Sequence, residues 1–256
     1  MTETWYPQAV RLPIATKEYF KVRAVPTISI VEHITAGADS RNWLQLADNA
    51  SSVHFLIRVE NGKGVVYQFM PIEWAAWGNG RFSNNNPFMP DWVKAMIAQG
   101  ININHATISI EHEGVVPTAT LYTGPMLEAD LKLNKWLADT VPTIKRDRTH
   151  IIGHYQIDHV DRAFCPGGPG GRLYPFDTII GALNMPASHH FPETNLDVAG
   201  DFYAFWQANG GLSIFGYPIR AEANNNQSFE RARFERHPEG IKLGLVEAER
   251  LALLNQ

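Results

Sequence analysis

The sequence predicts a mixed α/β protein, with a central mixed β-sheet flanked by helices and a second, smaller α+β domain after it. Segments with strand and helix patterns interleave through residues 25–185, and one strong hairpin signal makes part of the sheet antiparallel. The composition then changes, which indicates a domain boundary. We therefore expect a first domain at residues 1–186 and a small module at residues 187–256.

The bulk composition excludes several classes of protein. Hydrophobic residues make up 45% of the 256 residues and charged residues 19%, as expected for a folded globular chain. The net charge of −4 differs from the basic footprint of a nucleic-acid-binding protein. No segment approaches the ~18 apolar residues of a membrane span, and the N-terminus lacks the basic start and apolar core of a secretory signal. We therefore expect a monomer that is made in the cytoplasm without a signal peptide.

The first strand and the hairpin are predicted by alternation and turn chemistry. Residues 27–33 alternate and are rich in β-branched side chains, so we expect a strand that ends at His33. Residues 37–49 predict a helix capped by Asp39 or Ser40. Two β-rich runs within residues 52–70 flank Asn61-Gly62-Lys63-Gly64, which predicts a hairpin.

A turn-rich segment follows the hairpin. Residues 74–90 contain Trp74, Trp77 and Asn79, and we expect a long surface loop of the kind that often carries function. Residues 91–100 predict a short helix that is capped by Asp91 and stops at Gly100.

The remaining elements of the first domain alternate strand and helix. In the strand predicted at residues 105–114, Glu111 lies on a polar face and His112 on the opposite face. Helical spacing predicts helices at residues 125–141 and 173–184. A short buried strand is expected between them at residues 149–154.

Beyond the first domain, residues 185–195 resemble a linker, because two prolines frame a polar stretch. The remainder predicts a short aromatic helix, a glycine-rich turn and two β segments, with about 65 residues in all. We expect its aromatic residues to form a core rather than a sugar-binding platform. Its "GGLSIFGYPI…FERARFERHPEG" pattern resembles an uncharacterised module attached to bacterial extracellular and cell-wall proteins, which implies a role in wall binding; a stabilising appendage is the alternative.

The segment "HIIGHYQIDHVDRAFCP" (residues 150–166) holds three of the ten histidines and the only cysteine. Zinc favours histidine nitrogen and cysteine sulfur, and a catalytic site keeps three protein ligands. His154 and Cys165 lie across a loop that can fold back, and His33 qualifies as a third ligand because it ends a predicted strand. The spacing alone leaves three alternatives: a metal site, a Cys165 nucleophile paired with His154, or an ordinary polar loop.

Five blocks occur in order along the chain and together carry a resemblance to a known family. The blocks are "ISIVEHITAG" (28–37), "SSVHFLIRVENGKGVVYQFM" (51–70), "AAWGNG" (75–80), "ISIEHEG" (108–114) and "IIGHYQID…RAFCPG" (151–167). They resemble the zinc-dependent N-acetylmuramoyl-L-alanine amidases, which include phage lysozyme-type amidases, muropeptide-recycling amidases and peptidoglycan recognition proteins. The resemblance extends over about residues 25–185.

The resemblance implies a site. His33, His154 and Cys165 match the three positions that hold Zn²⁺ in the family, and a retained third ligand favours catalysis over binding alone. Glu111 matches the glutamate of the family's "IE.EG" block, which implies a general base. A solvated or salt-bridged structural glutamate is the alternative.

The sequence also departs from the family pattern at three positions. Val53 stands where the phage branch has a tyrosine, which increases the weight on Glu111. Ala163 stands where a lysine is common, so Arg162 is the candidate for the positive charge that stabilises the oxyanion. Gly78 replaces the usual histidine of an "AWHAG" block. Trp74, Trp77 and Asn79 are candidates for contacts with sugar or peptide, although both tryptophans are equally expected as loop or core anchors.

The implied reaction is hydrolysis of the amide between N-acetylmuramic acid and the L-alanine of the stem peptide of peptidoglycan. Zinc would polarise the carbonyl and acidify a water, and Glu111 would transfer the proton to the leaving amine. A phage-type endolysin acting on the cell wall is the leading interpretation. The alternatives are a cytosolic muropeptide-recycling amidase and a non-catalytic peptidoglycan-binding protein.

Overall fold

The computed structural model describes residues 3–115, 121–185 and 188–244. The chain divides into two compact units, Met1–Asn184 and Met185–Gln256. Among the described residues, no helix combines the length and the apolar character that crossing a bilayer requires.

The first unit is built on a six-stranded mixed sheet, which confirms the predicted fold class. Its strand order is β1-β5-β4-β7-β3-β8, in which only the β4–β5 pair is antiparallel. A separate two-stranded ribbon pairs β2 with β6. The strands are β1 (Val10–Arg11), β2 (Tyr19–Phe20), β3 (Ser29–Ile34), β4 (Phe55–Glu60), β5 (Lys63–Gln68), β6 (Ala75–Ala76), β7 (Thr107–His112) and β8 (Ile151–Gly153).

Helices cover both faces of this sheet. The α-helices are α1 (Ser40–Leu44), α2 (Asp91–Ala98), α3 (Gly124–Thr140) and α4 (Phe176–Asn184), with short 3₁₀ turns at Ile103–Ala106, His154–Gln156 and Pro169–Gly171. One face forms the main core with α3 and α4, through residues such as Ile108, Leu133 and Ile179. The opposite face carries two smaller apolar clusters, one with Val93 of α2 and one with Leu44 of α1.

The hairpin turn is tighter than the four residues predicted for it. Asn61 and Gly62 both have positive φ angles, 50° and 74°, and β5 begins directly afterwards at Lys63. Two successive left-handed residues form the turn that matches the natural twist of paired strands. The sequence at this turn therefore fixes the register of β4 on β5.

Helix α1 is shorter than residues 37–49 predict, and its cap differs. Asp39 occupies the cap position with a left-handed φ of 58°, and its side chain accepts hydrogen bonds from Asn42 rather than from the backbone. The Ser40 amide donates instead to the Glu113 carboxylate at 2.7 Å. Helix α2 likewise has Pro90 at its cap, with Asp91 as its first residue. At the start of α1, the carboxylate of Glu113, which is distant in sequence, therefore accepts the hydrogen bond that a local capping side chain would otherwise accept.

The second unit has its own core and begins with a hairpin where a linker was predicted. Strands β9 (Ser188–Phe191) and β10 (Leu196–Ala199) pair antiparallel, so the linker prediction is wrong from residue 188 onward. The sequence pattern did not predict this pairing, because three of the four β9 residues are exposed and polar. The other elements are α5 (Gly200–Ala208), α6 (Gly211–Phe215), β11 (Asn226–Ser228), β12 (Arg233–His237) and β13 (Gly240–Leu243).

Aromatic side chains dominate the core of the second unit. Phe202 and Phe234 are completely buried, and Phe215 packs edge-on against Phe234 at 4.8 Å. Tyr203 and Trp206 are partly buried against this cluster. These aromatics therefore form a core, as the sequence predicts; a role in wall binding stays a prediction.

The contact of β5 with α3 gives a test of packing. A side chain at Gly64 would clash with the Pro125 carbonyl and lie 2.7 Å from Ala129 Cβ. We expect Gly64→Ala to lower the free energy of unfolding by roughly 1–3 kcal/mol, because a backbone group cannot swing aside. In the matched control Gly181→Ala, within α4, the added methyl meets nothing within 4 Å, and helix propensity predicts a gain of about 0.5–1 kcal/mol. Equal destabilisation of both variants in urea titrations would contradict this account.

Candidate metal centre and active-site cleft

The ends of three parallel strands assemble the candidate site. His33 of β3 is the register partner of Glu111 of β7, so the two side chains share one face of the sheet. His154 directly follows β8, whose Ile152 pairs with Val31 of β3. Alternation then directs His154 to the face that carries His33.

A backbone carbonyl fixes the orientation of the His154 ring. His154 Nε2 lies 2.7 Å from the carbonyl oxygen of Asn79, where it donates a hydrogen bond. This leaves the lone pair on Nδ1, which lies 2.9 Å from His33 Nδ1. Metal-binding histidines commonly use such a bond to fix the tautomer and the ring orientation.

Cys165 completes the cluster from the loop that folds back over β8. The Tyr155 amide donates to the Cys165 carbonyl at 3.1 Å, which closes the loop. The Ile34 amide donates to Cys165 Sγ at 3.4 Å. The ligand atoms of His33, His154 and Cys165 lie within 4.8 Å of one another, and all three residues are buried.

The chemistry of this donor set fits zinc. Burial lowers the pKa of His33, with help from His154, and lowers the pKa of His154 to about 4. Both imidazoles are therefore neutral at pH 7 and able to donate lone pairs. His33 Nε2 is also buried without a hydrogen-bond partner among the described residues. Two imidazoles and one sulfur are a ligand set of catalytic zinc sites.

Glu111 lies beside this cluster in the wall of the same cleft. Burial raises its pKa to about 8, and His112 and Arg162 only partly offset that rise. Its Oε2 atom lacks a hydrogen-bond partner within the described part of the chain. A carboxyl group with a raised pKa and a free oxygen in a cleft is suited to accepting and returning a proton.

The cluster opens into a cleft of about 670 Å³. His33, Glu111, His154 and Cys165 all line it. Two large aromatic side chains are exposed along its wall, Trp43 at 54% and Phe164 at 49%. Neither residue was predicted from the sequence as a contact for substrate, although Phe164 directly precedes the predicted ligand Cys165.

The other candidate residues occupy different positions. Trp77 and Arg162 line the cleft, and Arg162 Nη1 donates to the Asp161 carbonyl at 3.0 Å. Trp74 is not part of the cleft lining and stacks on Tyr19 at 4.8 Å. The Asn79 side chain is buried and donates to Thr107 Oγ1 at 2.8 Å, so this residue contributes its carbonyl to the site. Contacts of Trp74, Trp77, Asn79 and Arg162 with substrate stay predictions.

Two departures from the family pattern lie in the cleft wall. A side chain at Gly78 would meet Ser109 Oγ at 2.6 Å and the Ser52 carbonyl at 3.3 Å, so the wall has no room for one without rearrangement. Val53 also lines the cleft and presents no group that exchanges a proton. Glu111 and Asp161 are the carboxylates that line the cleft, and Glu111 is the one that is the register partner of the candidate ligand His33.

The raised pKa of Glu111 predicts an unusual dependence of stability on pH. An ordinary glutamate loses its proton at pH ~4.5 when unfolded, whereas the folded group keeps it to about 8. Between these values the folded state holds more protons, so the free energy of unfolding falls as the pH rises.

We therefore expect Glu111→Gln to leave the stability of metal-free protein unchanged near pH 4.5 and to raise it by on the order of 1–3 kcal/mol at pH 9. Thermal unfolding at both pH values measures the difference. A structural, ion-paired glutamate would give the opposite sign at pH 9. The control Glu60→Gln removes a glutamate that pairs with Arg58 at 3.1 Å on the same sheet and should give no gain.

Several solved amidase structures are similar to this chain. A solved selenomethionine derivative of AmpD is 22% identical, with a TM-score of 0.47 and coverage of 72% of this chain and 98% of that chain. The amidase AmiD from E. coli is 19% identical (TM-score 0.44, 73% and 65%), and the amidase LysC from Clostridium intestinale is 19% identical (TM-score 0.42, 70% and 99%). Comparison with curated proteins gives no match.

The sequence profile of the family described as N-acetylmuramoyl-L-alanine amidase matches residues 24–168. This segment contains His33, Glu111, His154 and Cys165 and makes up more than half of the 256 residues. The chain therefore belongs to the N-acetylmuramoyl-L-alanine amidase family and to that class of enzyme.

Proposed function

We propose that the protein is a zinc-dependent endolysin-type amidase that cuts peptidoglycan of the cell wall between N-acetylmuramic acid and L-alanine. The observation that carries this proposal is the convergence of two neutral imidazoles and one sulfur beside a partnerless glutamate oxygen, in an open cleft. The second compact unit supports action on a polymer, because tethering raises the effective concentration at an extended substrate.

His33, His154 and Cys165 would hold the zinc ion. When bound, zinc supplies Lewis acidity to the amide carbonyl and to the attacking water. The Asn79 carbonyl keeps His154 in the orientation that the ion needs.

Glu111 moves the proton. Its Oε2 atom accepts a proton from water as water attacks the carbonyl carbon, and the same carboxyl then donates that proton to the leaving nitrogen of L-alanine. Burial raises the pKa of Glu111 to about 8 in the metal-free protein, and the positive charge of a bound zinc ion would lower it toward the neutral range, where the carboxyl both accepts and returns a proton. Arg162, on the cleft wall, supplies a positive charge near the developing oxyanion.

Mass spectrometry of digested peptidoglycan tests this reaction. We expect each cleaved bond to take up one water, to give a free N-terminal L-alanine and to leave the lactyl carboxylate on the glycan. A chelator, His154→Ala and Glu111→Gln should each reduce this product by at least about 100-fold.

The other outcomes identify the alternatives. Wall binding without new amines would indicate a binding protein, and cleavage of soluble anhydromuropeptides without clearing of intact walls would indicate a recycling amidase. Activity that resists chelation and is lost on thiol alkylation would indicate a Cys165 nucleophile. Each of these results contradicts a different part of the proposal.

The exposed aromatics of the cleft give a second test. Trp43 and Phe164 present large apolar surfaces to a bound glycan or peptide. We expect Trp43→Ala and Phe164→Ala each to raise KM for polymeric wall by roughly 5- to 10-fold, corresponding to about 1–1.5 kcal/mol, with kcat little changed. Phe82→Ala is the matched control, because Phe82 is 44% exposed but does not line the cleft. Equal effects of all three substitutions would contradict a specific contact.

A further inference from the structure

A second cluster of potential ligands lies on the opposite face of the sheet from the cleft. Glu32 of β3, His112 of β7 and Asp130 of α3 are all 0% exposed. Their ligand atoms lie within 4.8 Å of one another. Glu32 directly precedes His33 in β3, and alternation therefore directs the two side chains to opposite faces.

The three side chains converge on one point in the core. His112 Nε2 lies 3.2 Å from Asp130 Oδ2 and 3.9 Å from Glu32 Oε2. Within the described residues, His112 Nε2 and both carboxylate oxygens of Glu32 lack a hydrogen-bond partner. A fully buried carboxylate without a hydrogen-bond partner is costly, so the cluster needs a compensating positive charge at its centre, which either a proton on His112 or a metal ion supplies.

The outer contacts of the cluster are those that orient metal ligands. His112 Nδ1 donates to the His33 carbonyl at 2.9 Å, which directs Nε2 at the two carboxylates. Although burial opposes it, the nearby Asp130 carboxylate raises the pKa of His112, so Nε2 becomes a ligand only when a metal ion displaces its proton. Tyr174 donates to Asp130 Oδ2 at 2.7 Å, and Asn134 donates to Asp130 Oδ1 at 2.8 Å. Hydrogen bonds of this kind fix the tautomer of a ligating histidine and the rotamer of a ligating carboxylate.

The donor count also suits an ion in a dry core. Glu32, His112 and Asp130 each offer one ligand atom to a common point. The second Glu32 oxygen, which also lacks a hydrogen-bond partner among the described residues, is available as a fourth donor. Four nitrogen and oxygen donors satisfy a zinc-like divalent ion without a bound water. The two carboxylate charges balance the charge of that ion.

We propose that Glu32, His112 and Asp130 bind a second, structural divalent transition-metal ion such as zinc. The ion ties α3 to β3 and β7 behind the two strands that carry His33 and Glu111. Because the site is sealed from solvent, the ion enters during folding and exchanges slowly. This proposal does not depend on the amidase activity, since it concerns residues outside the cleft.

Metal stoichiometry tests the proposal. Full-length protein is produced in zinc-supplemented medium, dialysed, and analysed by plasma mass spectrometry. We expect two zinc equivalents in the wild type. The double variant H154A/C165S, which lacks two cleft ligands, should retain one equivalent, and E32Q/D130N should lose one and keep the other. One equivalent in the wild type that is lost in H154A/C165S would overturn the proposal in favour of a proton-sharing network, whereas one equivalent that persists in H154A/C165S would support it and contradict zinc in the cleft.

Cobalt substitution separates the two sites if E32Q/D130N does not fold. Cobalt in the cleft has a sulfur ligand and gives a thiolate-to-metal charge-transfer band, whereas the buried site has only nitrogen and oxygen donors. We expect H154A/C165S refolded with cobalt to bind one equivalent with visible d–d bands and no charge-transfer band. Absence of bound cobalt in that variant would overturn the proposal, whatever the activity of the wild type.

Discussion

The parallel pairing of β3 with β7 and β8 is the constraint on which the site depends. It aligns the carboxyl ends of three strands at one edge, so His33, Glu111 and His154 meet although they are distant in sequence. The pairing also decides which side chains face the cleft. A slip of one residue in β3 would turn Glu32 toward the cleft and bury His33 in the core. Ile30 and Val31 are both completely buried, on opposite faces of the sheet and in different apolar clusters. They oppose such a slip because each side chain would move to the face that carries the other cluster.

The loop from His154 to Cys165 depends on a second constraint, which is close packing around glycine. A side chain at Gly153 would lie 2.7 Å from Pro166 Cδ and 2.8 Å from the Tyr155 ring. Tyr155 in turn anchors the loop through its amide bond to the Cys165 carbonyl. Position 153 therefore has to be occupied by glycine so that the loop can fold back and place Cys165 beside His33 and His154.

The sequence predicts those features that arise from local pattern. Alternation identifies β3 and β7 and places Glu111 on a polar face, and Asn61-Gly62 identifies the hairpin, because two-residue turn chemistry is local. The meeting of His33 with Glu111 depends on strand register, which periodicity does not contain; here the family resemblance supplied it. The contact between Asn79 and His154 was not predictable from the sequence for another reason. The atom of Asn79 that contacts His154 is the backbone carbonyl oxygen, and the identity of a side chain says little about where its carbonyl points.

The electrostatics of the cluster support a ligand role for Cys165 over a nucleophilic role. Burial, followed by the nearby Glu111 carboxyl, raises the pKa of Cys165, whereas a reactive cysteine needs a lowered pKa. His154 cannot supply the missing help as an imidazolium, because burial lowers its pKa to about 4. Its Nε2 is engaged with the Asn79 carbonyl and its Nδ1 faces His33. A thiol in this setting loses its proton when a cation stabilises the thiolate. The burial that raises the pKa of Cys165 therefore opposes a nucleophilic role, and it makes the thiolate form depend on a bound metal ion.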